Sequence, residues 1–106
     1  MIVVDVEASG TDSKKHSIVS VGALDLAHPE NRFYMECRIW DGAHIMPEAM
    51  KVNGFTVDQI KDPAKPSEAD LTHAFLALSN NVEYRTFAGQ NVSFDRDFLR
   101  EAAERA

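Results

Sequence analysis

Asp5 and Glu7 stand two residues apart inside the apolar run Ile2 to Glu7. In an extended strand such a pair leaves the same face, about 7 Å apart along the backbone, so both carboxylates can serve one site. A third acid, Asp95, lies near the middle of the arc that Phe94, Phe98, Leu99, Ala102 and Ala106 make when the C-terminal stretch is wound at about 100° per residue. Asp97, Arg100, Glu101 and Glu104 fall on the opposite face as solvated charges, with Arg100–Glu104 and Glu101–Arg105 support one turn apart. Each acid alone has a plain reading. Asp5 and Glu7 suit a solvent-facing stretch of strand, and Asp95 suits the positive end of a helix dipole. Taken together, three carboxylates aimed at one sheet edge repel one another and raise at least one pKa, unless hard cations lie among them. Oxygen-only ligation favours Mg²⁺ or Mn²⁺ over zinc.

The acids need elements to hold them. Ile2 to Glu7 carries Ile2, Val4 and Val6 on one side and Val3 beside the two acids on the other, which predicts a central strand, apolar on both faces apart from its acids. Ile18 to Leu26 and Arg32 to Trp40 read as two further strands, the second with Phe33, Met35, Cys37 and Ile39 inward. The turn chemistry of Ala27-His28-Pro29-Glu30-Asn31 joins them as a hairpin, so the sheet begins as an antiparallel three-stranded meander. Pro47 to Asn53 predicts a short helix stopped by Gly54, with another turn starting at Thr56. Ser67 to Ser79 predicts a longer one, capped by Ser67 and Asp70 and facing the sheet with Leu71, Ala74, Phe75 and Leu78. Tyr84 to Ala88 reads as a fourth strand, Gly89-Gln90 as a turn, and Asn91 as the cap of the final helix. The result is one α/β domain over residues 1–106.

Composition narrows the function. With 44% apolar and 26% charged residues the 106-residue chain is not a disordered one. No run approaches the roughly 18 apolar residues of a membrane span, and MIVVDVEASG lacks the basic start of a signal peptide, so a cytoplasmic protein with no membrane partner is expected. The lone Cys37 makes no internal disulfide, and no Cys/His spacing suits zinc. His16, His28, His44 and His73 read as surface histidines. Seventeen acids against eleven Lys and Arg give a net charge of −6, which excludes a broad basic surface for duplex nucleic acid. A nucleic-acid role needs another source of positive charge, such as bound divalent cations.

Asp5-Val6-Glu7-Ala8-Ser9-Gly10 resembles the first motif of the DnaQ-like (DEDD-type) 3'-5' exonucleases, and Asn91-Val92-Ser93-Phe94-Asp95 resembles their second. Val52-Asn53-Gly54-Phe55-Thr56 is similar to the segment that in many members lines the pocket for the terminal nucleotide. The resemblance implies a ribonuclease H-like fold with Asp5, Glu7 and Asp95 as catalytic ligands of two Mg²⁺ or Mn²⁺ ions. It implies that Ala8, Ser9 and Gly10 meet the 3'-terminal nucleotide through their backbone, with Phe55, Asn91 and Phe94 at the same pocket; Phe55 and Phe94 also have a plain core reading. The implied activity is two-metal-ion hydrolysis from the 3' end of single-stranded DNA or RNA, releasing nucleoside 5'-monophosphates. A second copy or a polymerase is an admissible partner. Members continue into a further strand and a helix bearing a third motif with a fourth carboxylate and the general base. No such motif follows Asp95, so the chain reads as the N-terminal portion of the domain, inactive by itself. The alternative is a catalytically incomplete nucleic-acid-binding or interaction module on the same fold. A haloacid-dehalogenase-like phosphatase fits less well, because its second acid is Asp and a helix stands where this chain has a hairpin.

Overall fold

In the computed structural model, which describes residues 1–80, 87–89 and 91–106, the N-terminal run forms strand β1 (Ile2–Ala8). It pairs antiparallel with β2 (Ile18–Asp25), and β2 pairs antiparallel with β3 (Arg32–Glu36). Between β2 and β3 the Asp25 carboxylate accepts the Ala27 N–H and the Asn31 N–H reaches the His28 carbonyl, the local bonding that Asp, Asn and Pro favour in turns. β4 (Phe87–Ala88) joins the other side of β1 in parallel, giving the order β3-β2-β1-β4 and a mixed sheet. The strand expected over Tyr84 to Ala88 is therefore seen at its last two residues; positions 84–86, and Gln90 of the expected turn, lie outside the described residues.

β1 is central as expected, but its faces differ. Ile2, Val4, Val6 and Ala8 are buried, whereas Val3 and Glu7 are half-buried and Asp5 is exposed. Helices α3 (Glu68–Asn80) and α4 (Val92–Arg105) bring Leu71, Phe75, Phe98 and Ala102 into one core with Val4, Val6 and Val21. Both helices thus cover the even-numbered face, and the acids stand on the other, which bears out the solvent-facing reading for Asp5. Closing an apolar layer over the Asp5 carboxylate would cost several kcal/mol, so the odd-numbered face stays open.

The strand expected to run to Trp40 leaves the sheet after Glu36. From there its outer edge turns to the chain that precedes α3: Arg38 N–H donates to Pro66 O and Ile39 N–H to Ile60 O. That segment contains α1 (Pro47–Asn53) and α2 (Val57–Ile60), and Met50 and Ile60 close a second small core with Val19, Ile39 and Phe55. Ser67 and Asp70 form the expected reciprocal capping box at α3, and Thr56 and Gln59 form a second one at α2, where a turn is expected.

One buried charge pair was not foreseen. Glu68 is 3% exposed, and its Oε2 accepts from Ser17 Oγ, Ile18 N–H and Arg105 Nη2 while Oε1 accepts from Arg105 Nε. Arg105 also lies over the Trp40 ring at 5.0 Å and donates to Ser13 O. The expected Glu101–Arg105 pair on the solvated face is therefore corrected, and Arg100 pairs with Asp97 at 3.2 Å instead of Glu104. A fork of two N–H groups on a desolvated carboxylate outcompetes an exposed pair worth a few tenths of a kcal/mol. This clamp fixes the start of α3 and the end of α4 against the start of β2. Arg105→Ala should lower unfolding free energy by about 2–4 kcal/mol in chemical denaturation, because it leaves a buried carboxylate short of its cation.

Candidate active site

The exposed face of β1 is where the two strand acids stand. Strand register sets them in rows: Val3 beside Leu24 and Arg32, Asp5 beside Gly22 and Tyr34, Glu7 beside Ser20 and Glu36. Gly22 has no side chain, so a trough runs from Asp5 to the ring of Tyr34, which is 65% exposed. A cavity of about 470 Å³ follows this face and includes Asp5. A larger one of about 740 Å³ lies elsewhere, among Arg38, Trp40, Lys61 and Arg105, and touches none of the three acids.

Asp95 arrives from α4. Asn91 caps that helix, its side-chain oxygen accepting the Phe94 N–H at 3.3 Å, and the first turn carries Asp95 inward to 4% exposure. There Oδ1 accepts the N–H of Val6, the residue between Asp5 and Glu7, at 3.3 Å. Among the described residues β4 pairs with β1 at Ile2 and Val3, and the helix carboxylate takes an N–H farther along the strand than these pairs. Gly89 makes the approach possible: a Cβ on it would lie 2.6 Å from Val4 O and 3.1 Å from Asp95 Oδ2.

The three acids feel one another. Burial pushes the Asp95 carboxyl up to about 6, against the Val6 hydrogen bond and with help from the charge of Asp5. Glu7 is also raised, first by burial, then by the charge and hydrogen bond of Asp5, then by Asp95. Among the described residues no Lys, Arg or His forms an ion pair with any of them. Donor type and uncompensated charge fit a hard divalent cation. The arrangement is not a closed cage, however: among the described residues no three His, Cys, Asp or Glu side chains are grouped as a metal-holding set. Strand and helix bring the expected ligands to one edge, with Asp95 committed on one oxygen to Val6.

The segment after Glu7 is anchored throughout. Ser9 is fully buried, its N–H donating to Ser17 O and its carbonyl accepting from Met46 N–H. Its hydroxyl donates to His44 O and accepts the Ser17 N–H. Both of the Ser9 backbone polar groups, through which the substrate contact is expected, thus have partners within the chain. Gly10 lies flat against the imidazole of His16, where a Cβ would come within 2.2–2.4 Å of ring atoms. His16 is 8% exposed and meets the Asp12 backbone through Nδ1, which corrects its reading as a surface residue; His28, His44 and His73 are exposed as expected. Phe94 packs on Phe98 with ring centroids 4.7 Å apart, and Phe55 packs against the second core with Lys65 Nζ 5.3 Å from its ring centroid. The structure thus gives both aromatics core partners. Sequence reading missed His16, Asn53 and Gly89, because their roles are contacts to residues far along the chain.

No family model matches the chain. It is 27% identical over 119 residues to ribonuclease T of Haemophilus influenzae, covering 98% of this chain and 51% of the relative. Ribonuclease T of Citrobacter koseri is 28% identical over 123 residues, with 99% and 54% covered. The chain spans about half the length of these relatives. Among solved structures, a product-bound exonuclease I superposes with a TM-score of 0.78 at 22% identity over 98% of this chain and 25% of that one. The fold is shared with exonuclease I. The zinc-bound form of the E. coli exonuclease I complex with single-stranded DNA gives a TM-score of 0.79 at 23% identity, over 98% of this chain and 23% of that one. The resemblance to DnaQ-like exonucleases read from two short motifs is borne out by these relatives over the portion they share with this chain, and so is the ribonuclease H-like α/β fold.

Two outcomes follow from the geometry. Asp95 has a folded pKa above its unfolded one, so its charged form destabilises the metal-free fold fully above about pH 6, and the penalty vanishes as pH falls through that value toward about 4. With chelator present, Asp95→Asn should therefore be more stable than wild type at pH 7, by on the order of 1–2 kcal/mol, and lose that advantage near pH 4 in denaturant titrations. Gly10→Ala should cost about 1–3 kcal/mol, and a double-mutant cycle with His16→Ala should show a coupling of similar size.

Proposed function

We propose that this chain carries the strand-and-helix carboxylates of a 3'-5' exonuclease acting on the single-stranded 3' end of DNA or RNA. The observation that supports the reading is the bond from Val6 N–H to Asp95, 89 residues away, which ties the second-motif acid to the backbone of the residue that separates the two first-motif acids in sequence. Similarity to ribonuclease T supports the reaction class. Exonuclease I, which shares the fold and has been solved with single-stranded DNA in both zinc-bound and metal-free forms, supports the substrate and the need for a cation.

Asp5, Glu7 and Asp95 hold two Mg²⁺ or Mn²⁺ ions in this proposal. When bound, the ions supply the positive charge needed at the attacking and leaving oxygens of an in-line phosphodiester hydrolysis. The chain's own contribution is to aim the carboxylates, to keep the Ala8–Gly10 loop rigid beneath the terminal nucleotide, and to border that nucleotide with Phe55, Asn91 and Phe94. A net charge of −6 suits a frayed or single-stranded end over a duplex. Cytoplasmic location, and partnership with a second copy or a polymerase, belong to the same proposal.

Titration of the chain with Mn²⁺, followed by calorimetry, tests the reading. Saturable binding should weaken about tenfold or more in Asp5→Ala and in Asp95→Ala, with circular dichroism unchanged. Binding that ignores both substitutions, or no binding in a folded chain, would reject the exonuclease in favour of the interaction module.

A further inference from the structure

Asn53 ends helix α1, and its side chain turns toward β1. Nδ2 donates to the carbonyl of Ala8 at 3.0 Å, 45 residues away, and Oδ1 accepts the N–H of Phe55 at 3.0 Å. Both partners impose the orientation: a carbonyl only accepts and a backbone N–H only donates, so the amide cannot be reversed. A carboxylate lacks the donor, and an aliphatic side chain of the same size lacks both functions.

Local backbone prepares each end of this bridge. The β1–β2 register slips between Glu7 and Ala8, where the step to Ala8 skips a residue of β2, and such a bulge re-aims the chain next to it. Asn53 receives the carbonyl just past that irregularity. On the other side Gly54 adopts φ +78°, the left-handed turn that brings Phe55 N–H back onto the side chain of Asn53. One planar amide therefore ties the residue after Glu7 to the residue expected to border the terminal nucleotide.

The geometry points to Asn53 as a positioning residue that sets the Ala8 backbone against Phe55 and so sets the width of the terminal-nucleotide pocket. The inference rests on the exonuclease reading and deepens it: Asn53 governs nucleotide affinity, while Asp5, Glu7 and Asp95 govern cation affinity.

The test uses the whole chain with Mn²⁺ alone and with Mn²⁺ plus thymidine 5'-monophosphate as probes. Asn53→Asp keeps the acceptor for Phe55 and sets an oxygen against Ala8 O; Asn53→Ala removes the donor without adding charge and serves if the first variant does not fold. The expected result is nucleotide affinity lower by about tenfold to a hundredfold, Mn²⁺ affinity within about twofold of wild type, and faster amide exchange at Phe55 in Asn53→Ala. Nucleotide and Mn²⁺ affinities that fall together, or a nucleotide affinity that does not change, would overturn the positioning role. A wild-type chain that binds neither probe would overturn the exonuclease reading, and the pocket role of Asn53 with it. That failure is distinguished by lying in the wild type and not in the variant.

Discussion

The Asp95 carboxylate against the N–H of Val6 joins the last helix to the central strand at the point where β4 has ended. It is a costly contact, since burial and Asp5 both oppose the ionised form and a single backbone hydrogen bond does not offset them. The surrounding elements read as the means of keeping it. Phe98 and Ala102, on the same helix, bury themselves beside Val4 and Val6, and Gly89 leaves free the space where a Cβ would clash with Val4 O and crowd Asp95. At the far end of α4, Arg105 docks on buried Glu68, which also holds Ser17 and Ile18. Helix rotation is thereby set at both ends, and with it the direction of Asp95.

The loop after Glu7 obeys a different constraint. It leaves a bulged strand end and must carry its polar backbone through the interior, so every group needs a partner. Ser9 meets that need through both backbone groups and its hydroxyl, bonding to Ser17, His44 and Met46. Small residues are required here for contact and not for flexibility: Gly10 is held against the face of His16. A rigid loop beside exposed acids is what a site that orients a phosphodiester needs, because misplacement of about 1 Å costs rate heavily.

The open sheet face and the covered one follow from the same alternation. Even-numbered residues of β1 meet two helices, whereas odd-numbered residues present acids beside Gly22 and Tyr34. Electrostatics and packing are thus separated onto opposite sides of one strand. Burial first, and then the charge of Asp5, raises the proton affinity of Glu7 and Asp95 without disturbing the core that holds them.

Much of this was legible in local pattern. The meander, the helix over Pro47–Asn53, the turn starting at Thr56, the caps at Ser67 and Asn91, and the inward direction of Asp95 each depend on residues within a turn or a strand of one another, where period and capping chemistry act directly. The resemblance of two short motifs to those of DnaQ-like exonucleases likewise made Asp5, Glu7 and Asp95 candidates. Only the tertiary structure decided which face of β1 is open, that Arg105 leaves the solvated face for Glu68, and that His16 lies buried beneath Gly10. It alone joined Asn53 to Ala8. These depend on groups tens of residues apart, brought together by strand register and helix docking, and periodicity within one segment carries no information about partners in another.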